Sequence, residues 1–268
     1  MTGKSIYENF DMRDYESRIH RFRSVETHEL EREERRLAIK LLRRRIRVAV
    51  ASNFLLPMKA LSADFEKQTG NHVSISVGST GKLYAQITHG APYDIFFAAN
   101  SREPQRLEKD GFAVAGSRAT YAVGQIALWG ANTTDPKQTL VSGKFRRLAI
   151  ANPRIAPYGV AAEQTLKSLK LEKQLKQKII QAENISQAYQ FVATGNTELG
   201  FVAYSQLVAR GDDNHAWLVP ATLHEPIEQQ YVLLTRAGKN SIAHAFIEYL
   251  NKPEVKRMIT DFGYGLGS

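Results

Sequence analysis

Three times between residues 46 and 110 a short β-branched or apolar run breaks at a corner of small polar residues and resumes with helical spacing. The runs are 46–51, 72–77 and 94–99, and the helical stretches read 57–69, 82–88 and 101–109. Pro57 suits the first turn of the first helix, Ser101 has the chemistry of a cap for the third, and Gly70, Gly90 and Gly111 stand where each should stop. Strands separated by helices in this way pair in parallel through right-handed crossovers. The pattern resumes at 148–151, with a helix at 158–169, a short strand at 178–180, a helix at 185–194 and a buried strand at 199–203. Between the two series, 121–129 reads as one further strand and 131–137 as a polar loop; a late strand at 227–235 and a helical region at 241–262, interrupted at Pro253, close the chain. The expected architecture is α/β and two-lobed, each lobe a mostly parallel sheet flanked by helices.

Residues 1–47 lie outside that pattern. They alternate acidic and basic groups, and 24–47 reads as a charged helix with Leu30, Leu37 and Leu41 or Leu42 near one face. Most of the density of positive charge sits at Arg43, Arg44, Arg45 and Arg47, within a net charge of +9 over 268 residues. The arm reads as partly disordered with one solvated helix; a basic segment could instead touch nucleic acid or an anionic membrane surface, but its interspersed glutamates argue against those partners. A secretory signal needs about 7 to 15 apolar residues behind a basic start; residues 1–44 hold no such run, so no export signal is expected from them. No apolar stretch reaches the roughly 18 to 20 residues of a membrane-spanning helix. The absence of cysteine removes disulfides, thiolate catalysis and Cys-ligated zinc.

In open α/β sheets ligands bind where strands end and helices begin. Four such corners carry anion-cradle chemistry: Ser52-Asn53, Ser79-Thr80, Pro157-Tyr158-Gly159 and Glu183-Asn184-Ile185. Backbone N–H groups at a helix start have no intrahelical acceptor, and hydroxyl or amide side chains beside them add further donors. The stretch Gly78-Ser79-Thr80-Gly81-Lys82 invites comparison with a phosphate loop and fails it, because Ser76 and Leu83 occupy the two discriminating positions. The seven histidines include no metal-binding pair at helical spacing, and neither a nucleophile elbow nor paired carboxylates can be read. Asp94 reads as a structural hydrogen-bonder. Arg118 and Arg154 are candidate counter-charges for an anion, with the surface reading favoured for both.

From Ile46 to the C-terminus the chain resembles the periplasmic molybdate-binding proteins that serve molybdate ABC importers. The motifs are Val-Ala-Val-Ala-Ser-Asn-Phe at 48–54, Gly-Ser-Thr-Gly-Lys-Leu-Tyr-Ala-Gln-Ile at 78–87, Gly-Ala-Pro-Tyr-Asp-Ile at 90–95, Ala-Asn-Pro at 151–153, Ala-Pro-Tyr-Gly at 156–159 and Glu-Leu-Gly-Phe-Val-Ala at 198–203. The resemblance implies a type II periplasmic-binding-protein fold with an oxyanion in the interlobe cleft. It divides the chain into an arm at 1–47, a first lobe at 48–124 with 229–268, and a second lobe at 125–228. It further implies a binder of molybdate and tungstate rather than an enzyme, monomeric, periplasmic, without cofactor or bound metal cation, whose partner is an ABC permease; a general sulfate or phosphate carrier and a cytoplasmic oxyanion sensor are the alternatives. Carried over by position, the ligand contacts fall on Ser52, Asn53, Thr80 (with Ser79 beside it), Tyr158 and Ile185. Some members add a tyrosine hydroxyl where this chain has Ala203, with Tyr204 one residue on. A one-residue shift reverses a strand side chain's facing, so the Tyr158 hydroxyl or the Asn53 amide is expected to fill that place.

Overall fold

The computed structural model describes residues 45–267. The chain opens with β1 (Arg45–Ala51), a 3-10 turn (Ser52–Phe54) and α1 (Leu55–Thr69), then β2 (His72–Gly78), α2 (Thr80–Thr88), β3 (Ile95–Phe97), α3 (Arg102–Lys109) and β4 (Ala119–Gly124). A second series follows: β5 (Ile126–Trp129), α4 (Pro136–Ser142), β6 (Leu148–Ala151), α5 (Pro157–Ser168), α6 (Glu172–Leu175), β7 (Ile179–Ala182), α7 (Ile185–Ala193), β8 (Leu199–Ala203), α8 (Tyr204–Val208) and β9 (Trp217–Leu218). β10 (Ile227–Leu233), α9 (Ser241–Leu250) and α10 (Pro253–Asp261) complete it.

The strands form two five-stranded sheets, ordered β2-β1-β3-β10-β4 and β7-β6-β8-β5-β9, and the protein is a two-lobed α/β fold. Both sheets are mixed. β1 pairs with β3, and β6 with both β7 and β8, in parallel, whereas β10 runs antiparallel to β3 and β4, and β5 antiparallel to β8 and β9. Along β1 the pleat sorts side chains by face: Ile46, Val48 and Val50 join a core with Phe54 of the 3-10 turn and Phe65, Phe246 and Val255 from α1, α9 and α10, while Ala49 joins Leu83 and Leu107 beneath α2 and α3. The first sheet is thus covered on both sides, and the second lobe packs around one core that includes Leu148, Ile150, Ala162, Ala188 and Phe201.

Several expectations need correction. The run 121–129 is two strands in different sheets, separated at Gln125, where the chain crosses between lobes. Periodicity could not reveal this, because both halves are apolar. The supposed loop at 131–137 gives way to α4, with Asp135 as N-cap accepting from Gln138 N at 2.9 Å and Pro136 in the first turn. Ser101 stands at the N-cap of α3 but makes no side-chain capping bond. The helix expected over 24–47 cannot reach Arg47, since Arg45–Arg47 already belong to β1; its remainder, and the rest of the arm, fall outside the described residues. Asp94 does hold structure together, accepting from Arg47 N at 2.7 Å.

Candidate functional site

Where the lobes meet, the polypeptide supplies a set of unspent N–H groups, and the local sequence decides which ones. On α5, Pro157 has no N–H, while Gly159 N and Val160 N both donate to Ala156 O, at 2.9 and 3.3 Å. Tyr158 N–H is what remains. On α7 the side chain of Asn184 caps the helix, its Oδ1 accepting from Ser186 N at 3.0 Å and Gln187 N at 3.1 Å, which leaves the N–H of Ile185. On α2, Leu83 N donates to Ser79 O and Gly81 N donates across to Ile155 O at 2.9 Å, leaving those of Thr80 and Lys82, of which Thr80 lies at the cavity. At the end of β1 the 3-10 turn presents Ser52 and Asn53 in its first two positions.

These groups converge. Ser52, Asn53, Thr80, Tyr158 and Ile185, all five of the residues singled out by position, line one small cavity, together with Ser79, Ala99 and Asn184. Its wall holds no charged side chain. Ser79, only 2 % exposed, contributes a hydroxyl that has no hydrogen-bond partner. Thr80 Oγ1, by contrast, already accepts from Ala99 N at 3.0 Å, although its own proton stays available. A buried hydroxyl without a partner is costly unless something fills the space in front of it. Neutral donors at several helix starts suit an anion, which the helix dipoles stabilise without a counter-charge.

The two groups expected to stand in for the family's tyrosine are engaged elsewhere. Asn53 Nδ2 donates to Gln229 Oε1 at 2.7 Å and to Tyr264 Oη at 3.1 Å, and the Tyr158 hydroxyl accepts from Gln229 Nε2 at 3.3 Å. They belong to a buried polar cluster behind the cavity, completed by Tyr121 Oη on Gln229 Oε1 (2.9 Å) and by Ser205 Oγ on Tyr264 Oη (2.9 Å). Burial first, and the neighbouring tyrosines second, push the hydroxyls of Tyr158 and Tyr121 well above the usual tyrosine range, so the cluster is neutral. Tyr204 begins α8 and packs against Gly263, outside the cavity wall. The unpartnered hydroxyl is that of Ser79, which reading by position put second to Thr80.

Neither candidate arginine reaches the cavity. Arg118 donates to Glu108 Oε2 at 3.2 Å and Gln230 Oε1 at 2.8 Å, and Arg154 lines a separate, larger cavity of about 430 Å3 beside Asn100, Glu103 and Glu225. Lys82 turns to Glu183 at 2.5 Å, an exposed pair that bridges α2 of one lobe and the β7–α7 corner of the other. Ser186 Oγ donates to Ser52 O at 3.1 Å, a further bond between lobes. Among the described residues no cluster of three or more His, Asp or Glu side chains could hold a metal ion.

Residues 46–265 match the family described as Bacterial extracellular solute-binding protein. The molybdate-binding protein ModA of Azotobacter vinelandii is 47 % identical over 226 residues, covering 82 % of this chain and 90 % of its own length. That of Rhodobacter capsulatus is 40 % identical over 218 residues, covering 81 % and 86 %. The solved periplasmic molybdate-binding protein of A. vinelandii superposes with a TM-score of 0.80 at 39 % identity, over 83 % of this chain and all of that one.

Proposed function

This chain belongs to the bacterial extracellular solute-binding proteins and, among them, to the molybdate-binding ModA proteins, and from that premise we propose that it binds molybdate in the cavity between its lobes. It is a binding component of an ABC-type importer rather than an enzyme. Ser52, Asn53, Thr80, Tyr158 and Ile185 are the ligand contacts, with Ser79 Oγ as an additional hydroxyl donor. The observation that carries the reading is that all five line one small cavity whose wall has dipoles and hydroxyls but no charge.

A dianion entering this space meets backbone N–H groups from both lobes, so its contacts are complete only when the lobes are together. That difference in contacts is what favours the closed form when ligand is present. Tungstate has the same charge and shape and is held equally. Sulfate, with a shorter oxygen-to-centre distance, leaves donors under-engaged on at least one side. The lobes correspond to 48–124 with 229–268 and to 125–228, the first lobe also taking in the strand residues Arg45–Arg47 and Ile227–Glu228, and the monomer works outside the cytoplasmic membrane, delivering the ion to its permease.

Calorimetric titration with molybdate, tungstate and sulfate tests the proposal. The expected result is one site per chain, comparable affinities for the first two ions and at least a hundredfold weaker binding of sulfate, about 2.7 kcal/mol. Equal affinity for sulfate would make the protein a general oxyanion carrier.

A further inference from the structure

Asn53 and Tyr158 offer backbone N–H groups to the cavity, one from each lobe, yet their side chains turn away from it and meet on the same amide. That amide is Gln229, fully buried on β10. Its Oε1 accepts from Asn53 Nδ2 at 2.7 Å and from Tyr121 Oη at 2.9 Å, and its Nε2 donates to Tyr158 Oη at 3.3 Å. The register of β10 against β4 shifts between Gln229 and Gln230, a local irregularity of the kind that re-aims a side chain. Gly124, last residue of β4, makes the space: a Cβ there would collide with the Tyr158 hydroxyl and lie 2.6 Å from Gln229 Nε2.

We infer that Gln229 is a positioning residue: by tying the Asn53 corner of one lobe to the Tyr158 corner of the other, it sets the gap that an oxyanion must span, and so tunes which size of oxyanion is held. The inference rests on the oxyanion reading of the cavity. Its physical basis is the stiffness of the link. Each group in it is buried; if the amide moved, the Gln229 amide itself would lose every partner, while Asn53 Nδ2 and Tyr121 Oη would keep only their second bonds, to Tyr264 Oη at 3.1 Å and Ala98 O at 3.1 Å, so the link is fully satisfied in one geometry. Hydrogen bonds from N–H donors weaken steeply with misplacement. Tetrahedral dianions differ mainly in how far their oxygens lie from the centre, so a cage fixed by such a link discriminates where a loose one would adapt. Gln229 touches no ligand; it acts through the two corners.

The test uses two variants of the full chain that cut the same link from opposite ends. Gln229→Met keeps length and loses all three bonds, and Tyr158→Phe keeps ring and backbone N–H and loses the hydroxyl that meets Gln229. Molybdate and sulfate affinities are measured by calorimetry for wild type, both variants and the double variant. Each single variant is expected to weaken molybdate about tenfold and sulfate less, compressing the molybdate-to-sulfate ratio by about threefold or more, with the double variant no worse than Gln229→Met alone. An unchanged ratio, or additive losses in the double variant, would overturn the inference, because a purely structural role lowers stability without altering selectivity. The wild-type titration reports separately on the parent reading: a wild type that prefers sulfate removes molybdate as the ligand while the shift in ratio still tests the link. Hydrogen exchange of the Asn53 and Tyr158 amides in ligand-free protein reads the link without any anion. Faster exchange at both, relative to β1 and β6, is expected in either variant, and unchanged exchange counts against it.

Discussion

The two walls of the cavity are built on different chemistry. The wall from the first lobe carries hydroxyls, Ser52, Ser79 and Thr80, alongside its backbone donors, whereas the wall from the second lobe offers Tyr158 and Ile185, whose side chains are buried away or apolar and whose contribution is the N–H alone. Side-chain donors can be lost through a single substitution at little structural cost. Backbone donors survive every substitution except proline, because they depend on how the helix is capped. One lobe can therefore be tuned by sequence, while the other is fixed by fold.

The strongest way to break the pairing of the walls is to keep them from meeting. Gly81 N donates to Ile155 O, and a Cβ at Gly81 would lie 3.0 Å from Ile155 Cα and 3.1 Å from its Cβ. The obstacle is backbone rather than the end of a flexible side chain, so Gly81→Val must hold the lobes apart. The expected loss is about 3 kcal/mol, roughly a hundredfold in molybdate affinity by calorimetry, the upper range for overpacking a tight contact. Lobe folding stays intact, since α2 otherwise tolerates a side chain at that position.

A sharper probe of the backbone wall is Ile185→Pro. Residue 185 is the first of α7, where proline fits, and Asn184 before it is extended, with φ −151° and ψ 173°, as the residue preceding a proline prefers. The substitution removes the one N–H that Asn184 leaves uncapped. Affinity is expected to fall by about 1.5–3 kcal/mol, the range for a hydrogen bond to a charged group. Ile185→Val, which keeps the N–H, should leave affinity within a factor of about two while lowering thermal stability by about 0.5–1.5 kcal/mol. Equal affinities for the two variants would show that the donor at 185 is not used.

The hydroxyl wall makes the opposite prediction for stability. Ser79→Ala should cost affinity, about 1.5–2 kcal/mol, yet raise the melting temperature of the ligand-free protein, because the hydroxyl it deletes is buried and unpartnered. Thr80→Ala also removes the acceptor of Ala99 N–H, so its affinity and stability fall together, each by about 1 kcal/mol. A stability loss in Ser79→Ala would mean that its hydroxyl is satisfied without ligand.

This division explains what could be read from the sequence. β1 with its 3-10 corner, β2 with α2, and β8 were legible because β-branched alternation and glycine stops are local signals, and the hydroxyl corner announced itself by composition. Which of Ser79 and Thr80 has a free hydroxyl was not legible, since it depends on Ala99 approaching Thr80 from the bend that follows β3. Nor did periodicity mark the crossing at Gln125, for an apolar run looks the same whether it stays in one sheet or leaves it; the resemblance alone put the lobe boundary at 124/125. The polar cluster around Gln229 joins residues 53, 121, 158, 205, 229 and 264; no local pattern marks it, and the adjacent Gln229 and Gln230, both buried in β10, give no hint of their partners.

The smallest expected effect concerns the rim. Lys82 and Glu183 pair across the lobes, but both side chains are about half exposed, so solvent screens their attraction and side-chain entropy opposes it. Glu183→Gln removes the pair without removing any donor of either wall. Two consequences oppose each other: the closed form loses a contact, while an acidic group leaves the approach of a dianion. The first acts on dissociation and the second on association. Stopped-flow kinetics should therefore show both rate constants rising by less than about threefold, with the association change fading as salt is raised and the equilibrium affinity shifting by under about 0.5 kcal/mol. If the affinity instead fell as far as in Ser79→Ala, the rim pair would rank with the donors as a determinant of closure, and the contrast between the walls would no longer suffice to explain how the ion is held.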